Sequence, residues 1–140
     1  MTPKGRKAFL RAGKGLRALG LGTDSILASP AERTKATAEL LARSLGLAEK
    51  GITLIPELHH GTAPAKAMAR LSRLGLPRRI ALVGHEPWLG EFLSLVISGE
   101  TRAQIEFAKG GACLVEAPRL AKGSGRLLWL LTQDQLATLA

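Results

Sequence analysis

The chain has one cysteine, Cys113, among its 140 residues. An internal disulfide is therefore excluded, and a reducing compartment suits the lone thiol. No histidine or acid stands at a spacing that would activate it, so Cys113 reads as a small core residue of a strand. Long apolar runs are also lacking. No stretch approaches the roughly eighteen residues of a membrane span. The start, Met1-Thr2-Pro3-Lys4-Gly5-Arg6, has no apolar segment of the secretory kind. The expectation is a cytoplasmic protein without a membrane partner. Cys/His pairs at ligand spacing and Asp/Glu clusters are missing, which argues against a metal site. A nucleotide fingerprint is missing as well, because Arg11-Ala12-Gly13-Lys14-Gly15 sits inside a helical pattern without the strand and spacing of a P-loop. No cofactor is expected.

Acidic residues are scarce: 11 Asp and Glu face 20 Lys and Arg, a net charge of +9. Lys4, Arg6, Lys7, Arg11, Lys14 and Arg17 come before any acid at all. On a helix over 3–19, Phe9, Ala12, Leu16 and Leu19 share one side and the charges spread over the rest, the pattern of a solvated amphipathic helix. The charge attracts acidic partners and speeds encounter. Nucleic acid is the weaker choice of partner, because aromatic interleaving is absent.

The remaining pattern is one domain over 1–140 with enough apolar content, 46%, for a core. Helical and strand signals alternate with short connections, which specifies an α/β fold: a three-layer sandwich with a mostly parallel sheet covered by helices. Strands are expected at 24–28, 52–55 and 79–83. One helix starts at Pro30 and runs to about Ser44, carrying Ala38, Leu41, Ala42 and Leu45 on one side and stopped by Gly46. Pro64 opens another, to about Leu74, with Ala67, Met68, Leu71 and Leu74 on one face, and Pro87 opens a third over 87–98. Beyond Gly99, the pieces Gln104–Phe107, Ala112–Glu116 and Arg126–Leu131 read as a hairpin-rich edge of the same sheet, with Trp129 as a core anchor.

Two strand ends carry the candidate chemistry. Ile80-Ala81-Leu82-Val83 runs into Gly84-His85-Glu86-Pro87, and Ser25-Ile26-Leu27-Ala28 into Ser29-Pro30-Ala31-Glu32-Arg33. Ligands of open α/β sheets bind outside such ends. Arg33 falls in a helix first turn, where free N–H groups and the dipole already favour an anion. Its planar guanidinium can hold two phosphoryl oxygens. Each residue alone has an ordinary structural reading; together they suggest a phosphate site.

Thr2-Pro3-Lys4-Gly5, Ser29-Pro30-x-x-Arg33-x-x-x-Thr37, Val83-Gly84-His85-Glu86-Pro87 and Lys109-Gly110-Gly111 stand in the order and approximate spacing of the histidine phosphatase superfamily. The chain most resembles the short SixA-type phosphohistidine phosphatases, and the resemblance covers nearly all of it. It implies a phosphoglycerate mutase-like fold in which Arg33 and His85 donate to the phosphoryl group, with Gly84, Glu86 and Lys109 as auxiliary residues. It implies as partner a phosphorylated protein of a phosphorelay or phosphotransfer system, or a small phosphorylated substrate. The family's Arg-His-Gly triplet, whose histidine attacks phosphorus, does not occur in this sequence. The stated start therefore reads as too late, cutting away the first strand and the nucleophile. The resemblance places that strand between those at 24–28 and 79–83, so these close on each other or a second chain fills the gap by self-association. His59 and His60 read as surface loop residues, with substitution for the nucleophile a lesser alternative.

Three functions follow as expectations. The first is a SixA-type phosphohistidine phosphatase, if the full gene supplies the nucleophile. The second is a phosphate-binding or phosphoprotein-binding module without turnover. The third, resting on charge alone, is a basic nucleic-acid-binding protein.

Overall fold

A computed structural model describes residues 1–20 and 22–140. The order of elements is α1 (Pro3–Ala18), β1 (Ser25–Ala28), α2 (Glu32–Leu45), β2 (Ile52–Leu54), α3 (Pro64–Ser72), β3 (Ile80–Val83), α4 (Trp88–Ser98), β4 (Ala112–Glu116), β5 (Arg126–Leu131) and α5 (Gln133–Ala137). Short 3-10 turns cover Glu49–Gly51 and Pro56–Leu58.

Strands β2, β1 and β3 form a parallel sheet in that spatial order. Side chains alternate between its faces, as the strand period requires. Ile26, Ala28 and Val83 pack with Ala38 and Ala42 of α2 on one side. Leu27 packs on the other side with Met68 and Leu71 of α3 and Phe92 and Leu95 of α4. The result is helix, sheet, helix, as the alternation of signals specifies. Each large side chain taken fully out of water, such as Leu71, contributes about 1.5–3 kcal/mol.

Local chemistry sets the ends of these elements. Thr2 Oγ1 accepts from the Gly5 N–H at 3.0 Å while Pro3 occupies the first helical position, so the Thr-Pro pair starts α1. Gly46 takes a left-handed φ of 74° and ends α2. Helix α2 begins two residues later than the proline signal suggests. Ser29 Oγ accepts the Ala31 N–H at 3.3 Å, a local turn that keeps Pro30 and Ala31 outside the helix. Similarly, α4 begins at Trp88, with Pro87 as its N-cap residue.

The face of α1 differs from expectation. Small residues, Ala12, Gly13 and Gly15, form its buried seam, while Phe9 and Leu16 are half-buried and Leu19 is exposed. Gly15 is required by close approach: a Cβ there would run into the carbonyl of Leu136 in α5. The six basic side chains of α1 are all exposed.

The C-terminal third also departs from the sequence pattern. Strands β4 and β5 pair antiparallel as a separate two-stranded sheet instead of an edge of the parallel one. The connection between them is tied to the end of α4, where Gly123 and Gly125 N–H groups donate to the Leu95 and Val96 carbonyls at 3.0 and 2.8 Å. Gln104–Phe107 is not a strand. Its neighbourhood is folded onto α4, with the Ala103 N–H donating to Ser94 Oγ at 3.0 Å and the Ile105 N–H turned back to the Ala103 carbonyl. Trp129 is half-buried rather than a core anchor, and Leu127 and Leu128 are exposed, because a two-stranded sheet covers its faces incompletely. Cys113 lies half-buried in β4.

Of the two arrangements expected for the strands at 24–28 and 79–83, the structure has the first: they close on each other. Ser25 to Ala28 pair directly with Ile80 to Val83, and β4 and β5 make no ladder with this sheet. Strand β3 is an edge strand of its sheet.

Candidate phosphate site

Direct pairing of β1 with β3 places Ala28 opposite Val83, so the segments that follow these residues leave the sheet side by side. One carries Ser29 to Thr34, the other Gly84 to Pro87. Both sit at the carboxyl edge of a parallel sheet, where backbone divergence leaves a crevice.

An open cavity of about 500 Å³ lies there, lined by Arg33, His60, His85, Glu32 and Glu86 among others. Arg33 is exposed in the first turn of α2. The N-cap residue of that helix, Ala31, lines the same cavity and offers no side-chain cap, so the positive end of α2 is open to an anion beside the guanidinium. A second concavity, of about 440 Å³ between α1 and α2, mixes Arg6 and Arg43 with Glu39 and Glu49 and lacks a histidine.

His85 is half-buried and held by a partner the sequence did not announce. Its Nε2 lies 2.6 Å from Oγ1 of Thr34, which is only 1% exposed. This contact fixes the ring across the strand boundary. The His85 pKa is lowered from its ordinary value, first by burial, then by His60, Arg33 and His59. An anion that neutralises this positive surround would reverse the last three effects. Thr34 lies four residues before Ala38 on the buried side of α2, a helical spacing that signals its burial although not its partner.

Glu86 lines the cavity but works at the helix behind it. Its Oε1 accepts the Gly90 N–H at 2.6 Å, capping α4 at its positive end. Burial raises the Glu86 pKa, the Gly90 hydrogen bond opposes that rise, and Glu91 adds to it. Gly84 forms the half-buried turn before His85. Lys109 is exposed beside the left-handed Gly110, in a turn closed by the Gly111 N–H on the Ala108 carbonyl, and it does not line the cavity.

His59 and His60 are exposed loop residues, but the loop brings His60 to the cavity wall. The buried indole of Trp88 donates from Nε1 to the Thr62 carbonyl at 2.6 Å, pinning this loop to the first residue of α4. Trp88 in turn stacks on Phe92, with ring centroids 5.2 Å apart. Among the described residues, no group of three His, Cys, Asp or Glu side chains is placed to hold a metal ion. No helix among them is long and apolar enough to cross a membrane.

The arrangement can bind a tetrahedral oxyanion through a guanidinium, imidazole N–H groups and a helix N-terminus. The overall fold is that of the SixA histidine phosphatases. It superposes on the protein histidine phosphatase SixA solved with tungstate at a TM-score of 0.79 and 20% identity, covering 97% of this chain and 85% of that one. The SixA proteins of Agrobacterium tumefaciens and Nakamurella multipartitia each give a TM-score of 0.70, at 17% and 18% identity, with 94% of this chain covered and 82% and 83% of theirs. In sequence, the chain is 32% identical over 143 aligned positions to an uncharacterized protein of Picosynechococcus sp., covering 96% of this chain and 83% of that protein, and it belongs to the same family. No protein-family model matches the chain.

Proposed function

We infer that this domain recognises a phosphoryl group in the manner of a SixA-type phosphohistidine phosphatase, with Arg33 and His85 as donors to the phosphoryl oxygens. The observation that carries the reading is the meeting of Arg33, His85 and the uncapped start of α2 on one cavity. The SixA fold supports it, and the solved relative that binds tungstate, a tetrahedral oxyanion, is consistent with it. The partner of this reading is a phosphorylated protein, a phosphohistidine carrier of a phosphorelay or phosphotransfer system, acting in the cytoplasm. An open cavity admits a protein side chain, and the exposed basic residues of α1 draw an acidic surface closer.

Transfer of the phosphoryl group to water by this route needs a nucleophilic imidazole aligned with phosphorus. The sequence contains no Arg-His-Gly triplet, so the residues at hand supply binding and charge stabilisation. A second reading, recognition without turnover, is favoured by that same fact.

A phosphotransfer domain, phosphorylated on histidine or left unphosphorylated, tests the proposal. The phosphorylated form should bind more tightly, and the difference should vanish in Arg33→Ala. Equal affinity for the two forms contradicts phosphoryl recognition. Following the complex by 31P NMR then separates the readings, since released inorganic phosphate marks a phosphatase and a persistent phosphohistidine signal marks a binding module.

A further inference from the structure

We propose that His60 is a third side-chain ligand of the bound phosphoryl group, delivered to Arg33 and His85 by the loop between β2 and α3. The inference rests on the phosphoryl-site reading above and adds a residue that the strand-end motifs do not contain.

Position is the first ground. His60 lies 25 residues before His85 and 27 after Arg33 in sequence, yet all three line the same cavity. Fixation is the second. The Thr62 N–H donates to the His59 carbonyl at 2.9 Å, the Gly61 N–H donates to His59 Nδ1 at 3.1 Å, and Trp88 holds Thr62 from the core. Three hydrogen bonds thus close the turn that carries His60 and anchor it three residues from His85. The His59 ring also packs against that of His60, with centroids 4.1 Å apart and planes tilted by 33°.

Unused hydrogen-bonding capacity is the third ground. His85 spends one ring nitrogen on Thr34 and His59 spends one on Gly61. Neither ring nitrogen of His60 has a protein partner among the described residues. Its electrostatic influence reaches the site: after burial, His60 is the largest contributor to the lowered pKa of His85. A ligand with three free oxygens would accept from the Arg33 guanidinium, from His85 and from His60 at once. A carboxylate offers its lone pairs in one plane, whereas the three oxygens of a terminal phosphoryl group spread around phosphorus. Donors converging from three separate segments therefore favour a phosphoryl group over a carboxylate.

The test is calorimetric titration of the full chain with inorganic phosphate and, separately, acetate at one fixed pH. For His60→Ala the expected result is phosphate affinity weakened by about fivefold to tenfold, the scale of one charge-assisted hydrogen bond at an open site. Acetate affinity should change less, so the preference for phosphate narrows. His60→Gln, which restores an N–H donor without a ring charge, should recover part of the loss. The His60 ring signals of the wild-type chain should shift on phosphate addition. Unchanged phosphate affinity in His60→Ala, with wild-type binding intact and lost in Arg33→Ala, overturns the role of His60 and leaves the phosphoryl site standing. Phosphate binding that is insensitive to both substitutions, or absent from the wild-type chain, overturns the site and His60 with it.

Discussion

Thr34 and His85 are 51 residues apart in sequence, and their Oγ1 and Nε2 atoms lie 2.6 Å apart. The contact joins the first turn of α2 to the end of β3, so a ring that lines the cavity is set by a hydroxyl in the core. Thr34→Val keeps the shape and removes the hydroxyl. Phosphate affinity should fall several-fold as the ring loses its orientation, while stability changes by about 1 kcal/mol, the net value of one hydrogen bond. Calorimetric titration and thermal unfolding of the same variant check the two halves separately. A larger loss of stability without loss of affinity would assign Thr34 to packing alone.

The protonation of His85 should follow its surroundings. In the fold its pKa lies below the ordinary 6.5, with burial as the first cause and His60, Arg33 and His59 after it. The unfolded chain then holds this proton more tightly than the native one, so the stability contributed by neutral His85 is fully present above the unfolded value. It is lost as pH falls through the lowered folded value. An NMR titration of the ring should show a midpoint below 6.5 in the free protein and a higher midpoint with phosphate bound. A midpoint at or above the ordinary value in the free protein would contradict the burial of the ring and its positive surround.

Much of this framework is legible in the sequence because it is encoded locally. Apolar runs that end in Ser-Pro and Gly-His mark β1 and β3, and the parallel sheet follows from alternation of element types. Arg33 and His85 could be paired because each stands just past a strand end. Their partners are a different matter. Thr34 meets His85 across 51 residues of sequence, and the loop carrying His60 reaches the same cavity as His85; neither placement leaves a local pattern. Gln104–Phe107 shows the converse: Ile105 and Phe107 alternate as in a strand, but α4 captures the neighbouring backbone through Ser94. Strand pairing is also non-local. The apolar run of β5 marks a strand, but it does not say that β4 and β5 form a sheet of their own.

Glu86 should matter to α4 more than to the ligand. Replacing it with alanine removes the acceptor of the Gly90 N–H and the negative charge at the helix start, at a cost of about 0.5–2 kcal/mol. Thermal unfolding should register that loss. Phosphate affinity should stay within a few-fold of wild type; a loss matching that of Arg33→Ala would instead make Glu86 part of the ligand shell.

Cys113 should be inert in the native protein. Burial pushes its thiol up to about 11, so little thiolate exists near neutral pH. A disulfide reagent at mildly alkaline pH should label it slowly in the folded chain and rapidly after denaturation. Equal rates in both states would show that β4 does not shield it.

Calorimetric titration of inorganic phosphate into the wild-type chain and into Arg33→Ala and His85→Ala tests the phosphoryl site most directly. The account predicts saturable binding to the wild-type chain and a loss of about tenfold or more in each variant, with native circular dichroism retained. Wild-type affinity in both variants, or no saturable binding to the wild-type chain, would contradict it.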